Sequence, residues 1–94
     1  MPASDVAIAL SMISSLTDRI VPDNVIAIGE LGLSGECRAV SNIETRIHEA
    51  ERLGFEKIII PYRNIEKRKI NVEGIEIIPI KSIYEALGVL KNKE

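Results

Sequence analysis

The run "KIIIP" at residues 57–61, echoed by "IEIIPI" at 75–80, constrains this chain more than any other feature. Neither run alternates polar with apolar residues, and each is too short for a buried helix, so each reads as a strand covered on both faces. Strands of that kind need helices above and below them. The apolar supply fits this demand: 46% of the 94 residues are hydrophobic, mainly Ile, Val, Leu and Ala, with one Phe, two Tyr and no Trp. A chain of this length closes one compact domain around an aliphatic core.

The helices are legible. In "PASDVAIALSMISSLTDRIV", Val6, Leu10, Ile13 and Leu16 recur at helical spacing after the start signals Pro2 and Ser4 or Asp5. "SNIETRIHEAERLGF" places Ser41 and Glu44 in the S-x-x-E relation of a capping box, with Ile43, Ile47, Ala50 and Leu53 along one face and Gly54 as a left-handed stop. "KSIYEALGVLKNKE" repeats the box with Ser82 and Glu85 and continues an apolar face through Ile83, Ala86, Leu87 and Leu90. Between the first two helices, "VIAIGEL" and "ECRAV" read as strands joined through Gly32-Leu33-Ser34-Gly35 into a β-hairpin. A short helix is expected near Asn64 to Arg68. Strands separated by helices predict an α/β fold: a small, mainly parallel sheet with a β-hairpin, flanked by three helices.

Several chemistries are excluded by what the motifs lack. Gly29, Gly32 and Gly35 suggest a phosphate cradle, but no lysine and hydroxyl follow as a P-loop requires. A strand also intervenes where a dinucleotide fingerprint needs a helix. His48, on the polar side of its helix, has no nearby Cys or second His to give a usual metal-ligand spacing. Cys37 is the single cysteine, which excludes an internal disulfide and reads as a buried, inert thiol in a reducing compartment. No apolar run reaches the length of a membrane span. Met1 followed at once by a helix signal suggests a piece of a longer chain.

With 12 basic against 14 acidic residues, the net charge of -2 gives no global attraction to nucleic acid. The local exception is Arg63, Lys67, Arg68 and Lys69, with Glu66 the sole acid among residues 63–69. Such a cluster suits phosphate backbones, while a solvated loop is the plainer reading. Arg38 and Arg46 are candidates to extend it.

From Pro2 to "IPIKSIYEAL", and most specifically in "GELGLSGECRAVSNIETR" and "EAERLGFEKIIIP", the chain resembles the Lon protease proteolytic domain, in the form that ends a family of bacterial DNA repair factors. The resemblance implies an α+β, ribosomal protein S5 domain 2-like fold, of which residues 1–94 form the C-terminal part without its N-terminal strands. Lon enzymes work with a serine-lysine dyad. Carried onto this sequence, the serine falls on Ala3, the lysine on Glu44, and a threonine that orients the lysine on Ile28. Ser4 lies one place along, but "SNIETRIHEAER" offers no lysine, and Arg46 stays protonated at any working pH. The resemblance thus implies a domain with no catalytic residues, in which Glu44 caps its own helix and Ile28 fills core.

It further implies DNA, branched or single-stranded, as a partner contacted by Arg63, Lys67, Arg68, Lys69, Arg38 and Arg46. A hexameric ring, the recombinase RecA as a second partner, and a cytoplasmic location belong to the same expectation. The chain itself would hold no cofactor; ATP, Mg and Zn would belong to a motor and a zinc finger outside these residues. Two alternatives stay open: an active peptidase using Ser4, and a pure oligomerisation module.

Overall fold

The structure, a computed structural model, describes residues 5–92. Its elements in chain order are α1 (Asp5–Leu16), β1 (Arg19–Ile20), β2 (Val25–Ala27), β3 (Glu30–Leu31), β4 (Cys37–Arg38), α2 (Ile43–Arg52), β5 (Lys57–Pro61), β6 (Glu76–Ile80), α3 (Ile83–Ala86) and β7 (Lys91–Asn92). Tight 3-10 turns at Tyr62–Asn64 and Leu87–Val89 follow β5 and α3.

The two aliphatic runs are neighbours. The main sheet has the order β2-β5-β6 and both of its pairings are parallel, with Ile58 opposite Ile26 on one side and Ile77 on the other. β5 is therefore central, and Ile58, Ile59 and Ile60 are all fully buried. Alternation assigns them to opposite faces. Ile59 joins Val6 and Leu10 of α1, Val25 and Ala27 of β2, Ile80, Ala86 and Leu90. Ile58 and Ile60 join Val40, Ile75 and the α2 residues Ile43, Ile47 and Ala50. The result is a layered α/β domain with helices on both faces of a small sheet, as the uninterrupted runs require. Pro79 sits on the edge strand β6, where its missing N–H costs no ladder bond.

The expected hairpin is present in shortened form. β3 and β4 pair antiparallel, Glu30 with Arg38 and Leu31 with Cys37, and the Gly32 N–H donates to the Glu36 carbonyl at 2.9 Å. The run 25–31 is not one strand, however; it breaks at Ile28 and Gly29 as the chain leaves the main sheet. At Gly29 a Cβ atom would lie 2.7 Å from Cys37 Sγ and 2.8 Å from Val6 Cγ2, so glycine lets α1, β4 and this crossing meet.

Helix ends depart from the sequence reading in instructive ways. At the C-terminus of α2 the Gly54 N–H donates to Glu51 and the Phe55 N–H to Ala50, a complete Schellman closure around Gly54 at φ 96°. At its N-terminus the expected Ser41–Glu44 capping box does not form. Asn42 takes the cap position in a left-handed conformation, without a side-chain cap bond. Ser82 does precede α3, yet it too caps without a side-chain bond, and the Ser82–Glu85 box is absent. α3 also runs only to Ala86. Gly88 disfavours a longer helix, and the chain tightens into a 3-10 turn before Lys91 and Asn92 pair with Ile20 and Arg19. The short helix expected at 64–68 is instead the earlier 3-10 turn at Tyr62–Asn64. No helix among the described residues is long and apolar enough to cross a membrane.

Candidate nucleic-acid interface

The six candidate basic residues come from four segments, and the fold divides them into three groups. Arg38 on β4 lies 3.8 Å from Glu36, and Arg63 in the 3-10 turn acts on the same carboxylate. Glu36 also accepts from the Ser34 N–H at 3.0 Å. Its carboxyl is held below the usual range, first by its own backbone N–H and that of Ser34, then by the charges of Arg38 and Arg63.

What brings Arg38 and Arg63 together is a neutral side chain. The Val40 N–H donates to Asn64 Oδ1 at 3.0 Å, and Asn64 Nδ2 donates to the Val40 carbonyl at 2.8 Å. One amide thus imitates the next residue of a strand, pinning the turn after β5 to the end of β4.

The second group surrounds the start of α2. Arg46 donates through Nε to the Ser41 carbonyl at 2.8 Å, and Arg68 reaches Glu44 at 3.2 Å. Glu44 does not cap its own helix: its carboxylate turns to an arginine 24 residues away. This pair is half exposed at both ends, and an exposed pair contributes at most about 1 kcal/mol.

The third group, Lys67 and Lys69, is exposed on the loop between β5 and β6. With Arg68 they rim a groove of about 540 Å³ whose apolar lining is Ile65, Ile70, Ile77 and Pro79. Ile65, Ile70 and Val72 anchor the same loop over the α2 face of the core.

Two residues the sequence reading missed complete the picture. Lys81 Nζ lies 4.9 Å from the centre of the Tyr62 ring, a cation–π contact between the ends of β5 and β6. The signal was present but scattered: each residue immediately follows an aliphatic run, and only the parallel register of β5 and β6 makes them neighbours.

Positions with other expected roles sort plainly. Ala3 and Ser4 lie outside the described residues. Ile28 packs on the α2 side of the core, as expected. Cys37 is fully buried and its thiol is pushed up to about 11 by burial, which makes it the inert group the sequence suggested. His48 is exposed, 3.8 Å from Glu51. No group of His, Cys, Asp and Glu that could hold a metal exists among the described residues.

With this geometry in view, the comparison with known families is direct: the Lon protease (S16) C-terminal proteolytic domain matches over residues 1–92, and the chain belongs to that family. Within it, the chain is similar to the DNA repair protein RadA of several bacteria. It is 43% identical to that of Aquifex aeolicus over 89 residues, 95% of this chain and 19% of the relative. It is 40% identical to that of Escherichia coli over 90 residues, 96% of this chain and 19% of the relative. For Listeria monocytogenes the identity is 43% over 86 residues, 92% of this chain and 19% of the relative. The chain therefore spans about a fifth of the length of the curated relatives it matches.

Proposed function

We propose that this chain is the non-proteolytic Lon-like scaffold and DNA-contact domain of a RadA-type, ATP-dependent DNA repair and recombination factor. The observation that carries the reading is the chemistry of the former dyad positions. Peptide hydrolysis by a serine-lysine pair needs a desolvated amine that loses its proton near neutrality. Here Glu44 stands at the lysine position and engages Arg68, while aliphatic Ala3 and Ile28 stand at the other two. A carboxylate facing an arginine offers no such base.

What remains is shape and surface. The cations Arg38, Arg63, Arg46, Arg68, Lys67 and Lys69 supply the phosphate-binding charge that the net balance of the chain does not. In the whole protein ATP and Mg would be bound by a motor and Zn by a finger, both outside these residues, since this chain has neither a P-loop nor a second cysteine. The same reading includes a cytoplasmic hexameric ring, RecA as a partner, and further strands against the outer edge of β2. Exposed Ile8 and Met12 on α1, and exposed Leu53 just past the end of α2, support that last element.

The test is a titration of the full-length protein with duplex and branched DNA at several salt concentrations, wild type against the combined Lys67→Ala, Arg68→Ala, Lys69→Ala variant. The expected result is weaker binding, with a salt slope flatter by about 0.9 for each duplex phosphate that the variant no longer neutralises. An unchanged affinity and slope would remove this loop from the DNA surface. Labelling by a serine-directed phosphonate, with a Lon protease as control, would revive the peptidase alternative.

A further inference from the structure

Open α/β sheets bind ligands beyond the carboxyl ends of their strands. That end of the sheet here collects more than the DNA reading has used. Pro61 and Ile80 are the paired last residues of β5 and β6, and Tyr62 and Lys81 follow them directly. The cation–π contact with Tyr62 holds the Lys81 ammonium in place, so it has less side-chain freedom left to lose on binding. β4 runs alongside: the Cys37 N–H donates to the Lys81 carbonyl at 2.8 Å, and Glu36 bridges to Ser82. The two arginines around Glu36 therefore border the same end.

A second ring lies close by. Tyr84 is the second residue of α3, and the Ile83 N–H before it donates to the Gly35 carbonyl at 2.9 Å. The Tyr84 ring comes within 3.4 Å of where a Gly35 Cβ would stand, yet the residue is 69% exposed. Unlike Tyr62, it carries no lysine over its face among the described residues. The Gly35 that Tyr84 meets directly precedes Glu36, the carboxylate Arg38 and Arg63 act on, and Lys81 lies three residues before Tyr84. An exposed ring and three cations thus gather at one end of the sheet as the two parts of a sequence-tolerant single-strand site, a stacking platform and phosphate contacts.

We propose that this end of the sheet is a single-stranded DNA site, in which Tyr84 stacks on an unpaired base while Lys81, Arg38 and Arg63 contact the flanking phosphates. The proposal rests on the DNA-contact reading and deepens it, because a duplex keeps its bases stacked inside and offers Tyr84 no face. Tyr62 acts as a positioning residue for Lys81. Glu36 opposes the site by partly neutralising both arginines, so Glu36→Gln should tighten single-strand binding and steepen its salt dependence.

The experiment measures the anisotropy of labelled oligo-dT, and of a duplex of equal length, bound to the full-length protein across a salt series. Tyr84→Ala is expected to weaken oligo-dT binding by roughly 5- to 150-fold with the salt slope unchanged, and to leave the duplex affinity alone. Tyr84→Phe retains the ring face and the affinity. Lys81→Ala flattens the oligo-dT slope by about 0.7 if it frees one phosphate. Oligo-dT affinity indifferent to Tyr84→Ala, or oligo-dT and duplex weakened alike, would overturn the proposal. If the Lys67, Arg68, Lys69 variant loses duplex while Tyr84→Ala changes nothing, the DNA reading stands and this site falls; if the wild type binds neither DNA, both fall.

Discussion

Asn64→Ala is the substitution whose cost the structure specifies most directly. It removes the one side chain that answers both backbone groups of Val40, an acceptor at 3.0 Å and a donor at 2.8 Å. Val40 is buried at the edge of the α2 cluster, so its N–H and carbonyl lose partners that water replaces incompletely. A buried polar group left unsatisfied costs about 1–3 kcal/mol. With both groups only part-buried, the combined loss should be about 2–4 kcal/mol, a large share of the roughly 5–15 kcal/mol that holds a domain of this kind together. Urea unfolding followed by circular dichroism should show a lower midpoint at constant m-value, and Tm should fall by roughly 10–25 °C. Hydrogen exchange at the Val40 amide should accelerate beyond the global change, since the bond is lost locally as well. A loss below about 0.5 kcal/mol, the usual range for a surface substitution, would refute the reasoning by showing that solvent substitutes for the amide.

Two further substitution and titration results are expected. Gly29→Ala forces a methyl group against Cys37 Sγ and Val6 Cγ2, both on fully buried side chains, and should destabilise by about 1–3 kcal/mol in the same unfolding assay. The Cys37 thiol, raised in the folded chain from near 9.0 to about 11, binds its proton more tightly folded than unfolded; its contribution is complete below pH 9.0 and is lost as pH rises towards 11. Stability measured against pH should therefore decline over that window in the wild type and decline less in Cys37→Ala, and thiol alkylation at neutral pH should track unfolding.

The layered α/β architecture was legible because its signals are local or periodic. "KIIIP" can only be a strand with both faces covered, and the 3.6-residue spacing of Ile43, Ile47 and Ala50 can only be a helix against it. What could not be read depends on non-local geometry. The S-x-x-E pattern at Ser41 is compatible with a capping box, but Arg68, brought across by the loop that Ile65, Ile70 and Val72 anchor, competes for Glu44 and wins it. β1 and β7 have two residues each and no periodicity to detect; only the packing of α1 and α3 on one face brings Arg19 opposite Asn92. The candidate interface shows the same division. The run 63–69 announces itself by charge density, whereas Tyr62 and Lys81 lie 19 residues apart and become a pair only through the parallel register, and Tyr84 meets the hairpin only through its contact with Gly35.

The exposed Glu44–Arg68 pair shows how loosely charge commits a side chain that packing has already positioned. The loop carrying Arg68 is held by three aliphatic side chains in the α2 cluster, and the ion pair adds at most about 1 kcal/mol to that. The arginine is therefore positioned by packing and only loosely committed by charge. A phosphate group, which accepts bidentate bonds from a guanidinium and releases counterions on binding, can displace a single half-exposed carboxylate at small cost. The same holds for Arg38 and Arg63 near Glu36, where the backbone bridge to Ser82 and the Asn64 amide fix the elements and the carboxylate is only loosely paired with Arg38 at 3.8 Å. In both places the core sets the positions of the positive charges and an acid partly neutralises them, so the proposed DNA contact would meet an arranged surface rather than one it must assemble.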